Sequence, residues 1–527
     1  MSNPLVTTEV TSVSNIADFP AGGATVQAPL SDVAHEDLKR RTAHGALVST
    51  VAQAATFVLR TGSMMILARM LVPSDFGLIG MVTAFTGFLG LFRDAGLSMA
   101  TVQRASITDA QTSTLFWINL SVGWLLAGVV VLAAPVLVSF YSEPRLFWVT
   151  IALGSSFIFY GAGAQHRAIL QRSMRFMALA VIDTVSLVLG IGVAVGMALA
   201  GRGYWALVMS NVTPPAAGAL GVWLAIRWTP GRPQKRSGIR SMLVFGGTMS
   251  LVNVIGYFAY NVDKVLIGRF WGAAALGIYG RAYQLVNLPT ENLNSSISSV
   301  AFSALSRVQN DPVRLRSYFL KGYSFFLSLV VPVTVACALF PQDIILVFLG
   351  PKWHEAASIF RLLSPVILAF ALINPFGWLL YACGQMRRSL GIAFVVGPTV
   401  ILGYVAGLRH GPHGVAIGYS LAMVLLTAPL IIWAKHGTCI THLDVLRAIK
   451  PAFFSISAGV AIILAAGSFL EVLKSALLRL SVESFFLFGV YVLMLLFVMK
   501  QKPIYAELLS MTGFWPVAGR RERAKTQ

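Results

Sequence analysis

Long apolar stretches follow one another along most of the chain, from Ala46 to Met499. Many of them reach about 18 residues, and a helix of that length crosses a hydrocarbon layer of about 30 Å at 1.5 Å per residue. The connections between them are polar and too short to hold a folded domain. The pattern predicts an all-α polytopic membrane protein.

Fourteen spans are predicted from this pattern. They lie at 46–68, 76–97, 114–138, 146–166, 177–199, 204–226, 241–262, 275–300, 319–340, 357–383, 389–408, 413–434, 451–470 and 482–499. The polar ends, 1–45 and 500–527, are expected to be a disordered tail and a basic tail.

Composition agrees with a membrane protein, because 56% of the residues are hydrophobic and only 11% are charged, with a mean hydropathy of +0.75. The net charge of +20 would suggest nucleic acid on a soluble protein. Here 28 of the 40 Lys and Arg residues fall in the termini and the even-numbered loops, nine in the odd loops and three inside spans. This asymmetry predicts that both termini are cytoplasmic and explains the charge without a nucleic-acid partner.

Two similar segments lie 200 positions apart: Ile66–Arg69 followed by Phe76–Gly80, and Leu266–Arg269 followed by Leu276–Gly280. Six spans separate them, so both copies have the same orientation in the membrane. A parallel repeat of this kind is typical of transporters. The expected domains are a lobe at 46–226, a cytoplasmic linker at 227–240, a second lobe at 241–434, and an appendage of two helices within 435–499.

Polar residues inside the first spans of the two lobes form stripes at helical spacing. A charge near the middle of the bilayer costs at least about 2.5–3.5 kcal/mol, so it normally faces protein or water. The stripes are Gln53, Phe57, Arg60, Met64 in span 1 and Asn253, Tyr257, Tyr260, Lys264 in span 7. They correspond under the 200-residue shift and are expected to line a shared central cavity. A buried ion pair of Arg60 with Glu291 is the alternative.

Span 8 is the most polar helix. Its stripe consists of Gln284, Asn287, Glu291, Asn294 and Ser298, with Arg281 just beside it. We expect a cavity wall here, and interhelical hydrogen bonds that only hold the bundle are the alternative.

Two smaller groups carry weaker expectations. Arg167, Gln171 and Arg175 share a face at the cytoplasmic end of spans 4 and 5, where they could capture a lipid phosphate, although the positive-inside rule explains them equally well. Asp183 lies only a turn or two inside span 5, so a structural role at the membrane interface is favoured. Ion coupling, with Asp183 or Glu291 as the carrier, is the alternative.

No catalytic or metal-binding constellation is recognisable. The three cysteines are scattered without a paired motif, and no phosphate-binding glycine loop followed by Lys-Ser/Thr is present. The sequence therefore predicts neither an enzyme nor a cofactor.

Several short motifs between about residues 45 and 440 resemble the polysaccharide repeat-unit flippases (Wzx-type, the exopolysaccharide and colanic-acid branch) of the multidrug/oligosaccharidyl-lipid/polysaccharide exporter superfamily. They include Leu67-Ala68-Arg69, Phe76-Gly77, Asp94-Ala95-Gly96, Asn261-Val262-Asp263-Lys264, Leu276-Gly277-Ile278-Tyr279 and Gly350-Pro351-Lys352-Trp353. The chain departs from the family at Phe302-Ser303-Ala304, where the family usually has Pro in place of Ser.

The resemblance implies fourteen helices in two lobes around a V-shaped, cationic cavity in the bacterial inner membrane. The implied substrate is undecaprenyl-pyrophosphate-linked oligosaccharide, moved to the periplasmic leaflet by alternating access for exopolysaccharide or lipopolysaccharide biosynthesis. A polysaccharide polymerase and a chain-length regulator are the implied protein partners. Arg60, Lys264 and Arg281 would attract the pyrophosphate, and the amides of both stripes would bind sugar hydroxyls.

Two other functions are compatible with a chain of this kind. A cation-coupled multidrug exporter of the same superfamily would be expected to have a cavity dominated by carboxylates. A membrane glycan polymerase or ligase would be expected to have a long periplasmic loop with several Arg or His residues, and the sequence has no such loop.

Overall fold

The computed structural model describes residues 35–93, 101–102, 107–233, 257, 260–470, 473, 475–502 and 505. Within them the chain forms fifteen α-helices and no β-strand. The helices are α1 His35–Met70, α2 Pro73–Gly90, α3 Asp109–Tyr141, α4 Leu146–Gly154, α5 Ser156–Arg172, α6 Phe176–Leu199, α7 Tyr204–Ala225, α8 Val262–Arg307, α9 Pro312–Leu339, α10 Pro341–Phe348, α11 His354–Ala382, α12 Met386–Gly407, α13 Gly411–Lys435, α14 His442–Leu470 and α15 Ala476–Leu493.

The all-helical membrane fold expected from the sequence is confirmed. A helix occupies every predicted span except 241–262, which lies almost wholly outside the described residues. Nine helical stretches of the described chain are long and apolar enough to cross a membrane, and two of them, Leu146–Arg172 and Met386–Lys435, each contain two α-helices. The helices α2, α7 and α8 are not among the nine.

Local sequence signals set several helix ends. Thr108 begins α3 with a capping box: its hydroxyl accepts from the N–H of Gln111 at 3.2 Å, and the Gln111 side chain accepts from the Thr108 N–H at the same distance. Pro73 opens α2, where its missing N–H costs nothing. Asp311 caps α9 through the N–H groups of Val313 and Arg314.

The structure differs from the predicted boundaries in two places. The expected loop between spans 7 and 8 is helical, because α8 begins at Val262 and the chain turns only at Gly272, with φ 78°. At the N-terminus, α1 begins at His35, so helix extends into the segment predicted as a disordered tail.

The helices pack in two groups. In the first, α6 packs against α7 and α1, and α5 packs against α3 and α7. In the second, α11 packs against α8, α9 and α13, and α12 packs against α13. The last two helices, α14 and α15, pack on each other and on α9, outside the second group. We call the two groups the N-terminal lobe (α1–α7) and the C-terminal lobe (α8–α13).

The main contact between the lobes is the crossing of α2 and α8. A Cβ atom added to Gly77 would lie 1.7 Å from the carbonyl oxygen of Ala273, and one added to Gly277 would lie 1.8 Å from that of Pro73. Both contacts fall in the two copies of the repeat, and each is the 200-residue counterpart of the other. The two copies of the repeat therefore place two helix backbones in direct contact. The contact is nearly symmetric and leaves no room for a side chain between the helices. We call this the closed end of the molecule.

Further contacts between the lobes surround the closed end. The indole N–H of Trp353 donates to the carbonyl of Ala68, near the end of α1, at 2.8 Å. Arg69 donates to the carbonyl of Val347 at 2.7 Å, and the Trp353 ring meets Phe76 edge to face at 5.2 Å between centroids. Trp353 is completely buried, so this contact is a packed interface rather than a surface touch.

Replacing Gly77 by Val should force the lobes apart at the closed end. Since non-bonded carbon atoms approach to about 3.5–4.0 Å, the helices must separate by about 2 Å or more to accept the new side chain. Electron–electron spin distances between labels at Val72 and Leu346, which are both exposed, measure this separation in a cysteine-free background.

The matched control is Gly90→Val at the other end of α2, where no atom lies within 4 Å of an added Cβ. Its distance distribution should equal that of the parent. An unchanged distance in Gly77→Val would contradict the tight contact described here.

Candidate functional site

A cavity of about 1290 Å³ lies between the N-terminal lobe and α8. Its walls come from α1, α2, α5, α6, α7 and α8. It reaches from Phe76 and Gly277 at the closed end to Arg93, Gln171 and Phe176 at the other. Three long helices that fall outside the strongly apolar set, α2, α7 and α8, all line it, and this explains their polar residues. We call it the central cavity.

Positive charge dominates the central cavity. Five cationic side chains line it, against two carboxylates. The cations are Arg60, Arg93, Arg167, Lys264 and Arg281, and the carboxylates are Asp183 and Glu291. Because the walls are otherwise amides, hydroxyls and apolar groups, the space suits an anion that also offers hydroxyl groups.

One cation of the cavity is held by a carboxylate. The Arg167 guanidinium donates to both oxygens of Asp183, at 3.0 and 2.6 Å, in the two-pronged geometry that Arg and carboxylate favour. Both side chains remain almost half exposed to the cavity, so an incoming anion can compete for Arg167. Asp183 is thus placed as an internal substitute for such an anion.

Arg281 and Lys264 are oriented by neutral groups. The Arg281 guanidinium lies 4.4 Å from the centre of the Phe76 ring, next to the closed end, and donates to the side chain of Gln284. Lys264 donates to Asn261 at 2.7 Å and lies 5.2 Å from the centre of the Tyr283 ring. Within the described part of the chain, neither cation lies within ion-pair distance of a carboxylate.

Most of the predicted site residues meet in this cavity. The lining includes Gln53, Phe57, Arg60, Met64, Arg167, Gln171, Asp183, Lys264, Arg281, Gln284, Asn287 and Glu291. The alternative pairing of Arg60 with Glu291 is not seen, because among the described residues no carboxylate lies within ion-pair distance of Arg60.

Four predicted residues lie elsewhere. Tyr257 donates to the carbonyl of Ala84 on α2 at 2.9 Å. Tyr260 and Asn294 line a separate cavity, described below. Tyr260 and Asn261 form a turn before α8 begins, so Tyr257 and Lys264 do not lie on one face of a single helix. Arg175 donates to the carbonyl of Ala225 at 3.2 Å instead of facing the central cavity. The remaining predicted residue, Asn253, lies outside the described residues.

Arg93 lines the central cavity, whereas the sequence analysis counted it among the basic residues of the even-numbered loops. Its guanidinium carbon lies 3.8 Å from the centre of the Tyr160 ring, which also lines the cavity. Such a contact fixes the side chain by cation–π attraction. No local pattern distinguishes it from the other arginines near span ends, so only the packing of α5 beside the end of α2 identifies it.

A second cavity, of about 790 Å³, lies inside the C-terminal lobe among α8, α11, α12 and α13. Its lining is mainly apolar and aromatic, with Phe370, Phe376 and Trp378 as examples. Asn294 and Ser298, the last members of the polar stripe of span 8, face it. The two lobes thus enclose spaces of opposite character, one cationic and one apolar. Among the described residues, no group of three or more His, Cys, Asp or Glu side chains could hold a metal ion.

An all-helical membrane fold around a large cationic cavity is typical of a membrane transporter. Residues 66–358 match the family described as polysaccharide biosynthesis protein, and this chain belongs to that family.

Two bacterial relatives align with most of the chain. The teichuronic acid biosynthesis protein TuaB of Bacillus subtilis (strain 168) is 28% identical over 65% of this chain and 71% of its own length. The lipopolysaccharide biosynthesis protein WzxC of Escherichia coli (strain K12) is 25% identical over 74% of this chain and 80% of its own.

Solved structures share the fold at low identity. The lipid II flippase MurJ in an inward closed conformation superposes with a TM-score of 0.69 at 14% identity, over 86% of this chain and 99% of that chain. An inward-facing multidrug resistance transporter of the MATE family, in the MOP superfamily, gives a TM-score of 0.58 at 14% identity, over 75% and 96%. The fold is therefore that of the superfamily named by the sequence resemblance.

Removing the carboxylate of Asp183 should strengthen anion binding in the central cavity. In Asp183→Asn the Arg167 guanidinium loses its competitor, so the affinity for inorganic pyrophosphate should rise about twofold to fivefold at low salt. Isothermal titration calorimetry on the purified chain in detergent measures the change.

Asp311→Asn is the matched control, because Asp311 pairs with Arg314 at the start of α9, away from the cavity. It should bind pyrophosphate as the parent does. Weaker or unchanged binding by Asp183→Asn would mean that the pair only holds α5 to α6.

Proposed function

We propose that this chain moves lipid-linked oligosaccharide across the bacterial inner membrane, from the cytoplasmic to the periplasmic leaflet. The substrate class is an undecaprenyl-pyrophosphate-linked repeat unit for exopolysaccharide or lipopolysaccharide. The observation that carries the proposal is a central cavity with an excess of cations that ends at a tight contact between the two lobes.

The chemistry of the substrate matches the cavity. A pyrophosphate-sugar headgroup cannot enter hydrocarbon without losing its hydration, and a buried charge needs partners. Arg60, Lys264 and Arg281 supply charge for the pyrophosphate, while Gln284 and Asn287 supply donors and acceptors for sugar hydroxyls. The polyprenyl tail remains in lipid or another apolar environment throughout.

The direction of movement follows from the expected topology. If both termini are cytoplasmic, as the distribution of Lys and Arg predicts, the closed end is periplasmic and the cavity faces the cytoplasm. Opening the contact between α2 and α8 while the opposite ends close then exposes the headgroup to the periplasm. A polysaccharide polymerase and a chain-length regulator are the proteins expected to receive the product.

Deleting the gene tests this function in cells. Surface polysaccharide should be lost, and lipid-linked units should accumulate on the cytoplasmic leaflet of inner-membrane vesicles. If unpolymerised units are found outside instead, the chain acts after flipping, as a polymerase or ligase would. Normal glycan together with drug sensitivity would favour the multidrug exporter.

The deletion strain also tests the cavity cations. Arg60→Ala and Arg281→Ala should each lower polysaccharide export about tenfold or more, since a hydrogen bond to a charged group contributes about 1.5–3 kcal/mol. The lysine variants should keep part of the activity because they keep the charge. Export is compared at equal amounts of folded protein in the membrane, determined by immunoblotting and size-exclusion chromatography.

Arg175→Ala is the control for these variants, since Arg175 does not line the cavity. It should export normally, whereas Arg167→Ala should be impaired. Equal loss in Arg175→Ala and Arg167→Ala would contradict the assignment of the headgroup to the central cavity.

A further inference from the structure

Asp263 is a completely buried carboxyl group in the first turn of α8, directly after a turn of the backbone. Tyr257 is helical, Tyr260 and Asn261 form a turn, and α8 begins at Val262, so Asp263 lies in the first turn of the new helix. Its exposed fraction is 0%. Interrupted membrane helices are a common place for ion sites in transporters, because they bring free backbone groups and a side chain together.

The hydrogen bonding of this carboxyl group is incomplete. The hydroxyl of Tyr279 donates to Oδ2 at 2.9 Å, whereas Oδ1 has no hydrogen-bond partner. The backbone N–H of Lys264 lies nearby, without the alignment of a full hydrogen bond. An ionised carboxylate can accept about four hydrogen bonds, so this one is under-satisfied for a permanent charge in a dry interior.

Tyrosine rings connect Asp263 with the central cavity. Tyr283 lines that cavity, and its ring lies 6.0 Å from Tyr279 and 6.2 Å from Tyr419, centre to centre. Tyr419 in turn lies 5.3 Å from Tyr404, whose buried hydroxyl has no partner. Asp263 interacts electrostatically with all of these rings. Tyr283, which lines the cavity, and Tyr279, which contacts the carboxyl group, thus lead from the cavity to Asp263.

Opposing forces act on the charge of Asp263. Burial favours the neutral, protonated form. The adjacent Lys264 ammonium and the start of α8 favour the ionised form. Tyr257, from the preceding segment, is a further titratable neighbour. Among the described residues, Lys264 is the charged side chain that interacts with Asp263. A small movement of Lys264 can therefore shift the equilibrium between the ionised and the protonated carboxyl group.

We propose that Asp263 is a proton-binding site that gains and loses one proton as the lobes rearrange. A proton from the central cavity reaches the carboxylate past Tyr283 and Tyr279 and binds at Oδ1, so that the carboxylate becomes a carboxylic acid with no other bond changed. Tyr279 follows Gly277 by two residues on α8, so the proton state of Asp263 acts on the segment that closes the contact between the lobes. The carrier is therefore a third carboxyl group, not Glu291 or Asp183.

A proton fits this site better than a metal cation. A sodium or calcium ion is usually held by several oxygen ligands, often from more than one carboxylate. Within the described chain, Asp263 is the carboxylate of this cluster, and no group of three or more His, Cys, Asp or Glu side chains could hold a metal ion. A proton needs only the one oxygen that lacks a partner.

Infrared difference spectroscopy on the full chain in liposomes tests the proposal without any substrate, so its result is independent of the proposed transport function. The probe is the proton alone, with the carbonyl stretch of a protonated carboxylic acid followed from about pH 9 to about pH 5. The measurement is made in a Glu483→Gln background, because Glu483 is another buried carboxyl group and would contribute its own band. In this background we expect a band that grows as the pH falls, shifts in heavy water, and is absent when Asp263→Asn is added. It should remain in Asp183→Asn and Glu291→Gln.

Two further variants control for folding and for burial. Tyr279→Phe keeps the carboxyl group but removes a hydrogen bond that stabilises its ionised form, so the band should appear about half a unit to one unit higher in pH. Asp343→Asn removes another buried carboxylate, one paired with Arg479, and should leave the band unchanged. If Asp263→Asn does not fold, the shift in Tyr279→Phe decides.

Three results would overturn the proposal. The first is a band that persists in folded Asp263→Asn, or that does not move in Tyr279→Phe. The second is a band that stays constant over the whole pH range, since Asp263 would then be a permanently neutral structural group. The third is suppression of the band by sodium but not by choline, which would identify a sodium site.

Discussion

The arrangement of the molecule depends on one contact in which two helix backbones meet without side chains between them. At Gly77 and Gly277 a single added carbon atom would overlap a carbonyl oxygen of the other lobe. Contacts this close gain dispersion energy over many atoms, and among the described residues no buried salt bridge at this contact would have to be broken and desolvated on opening. A junction of this kind can therefore be firm when closed and still separate.

The contact at the closed end blocks one end of the central cavity. The cavity ends at Phe76 and Gly277, so a ligand bound near Arg281 lies directly against the junction. Movement of the lobes would then change the side of the membrane from which the ligand is reached. The two lobes differ in the character of the cavities that they border. The cavity beside the N-terminal lobe is cationic, and the cavity inside the C-terminal lobe is apolar.

Much of this could be predicted from the sequence, because helix length and apolar periodicity are local properties. The stripe from Gln53 to Met64 forms a cavity wall as its spacing predicts, and the 200-residue repeat marks the two segments that meet at the closed end.

The remainder depends on packing that a pattern cannot show. Arg269 is expected in the loop between spans 7 and 8, yet it is helical and lies over Phe140. Arg93 is held by Tyr160 from a distant helix. Asp263 looks like the partner of an adjacent lysine, and only its burial among tyrosines distinguishes it.

A flipping assay with the purified chain tests the proposed transport function most directly. Liposomes containing lipid-linked oligosaccharide in both leaflets are treated with a membrane-impermeant lectin that recognises the glycan. The account predicts that the inner-leaflet pool becomes accessible when the chain is present, and stays inaccessible with a chain that lacks both Arg60 and Arg281. If the inner-leaflet pool stays inaccessible with the unaltered, folded chain, the central claim is contradicted.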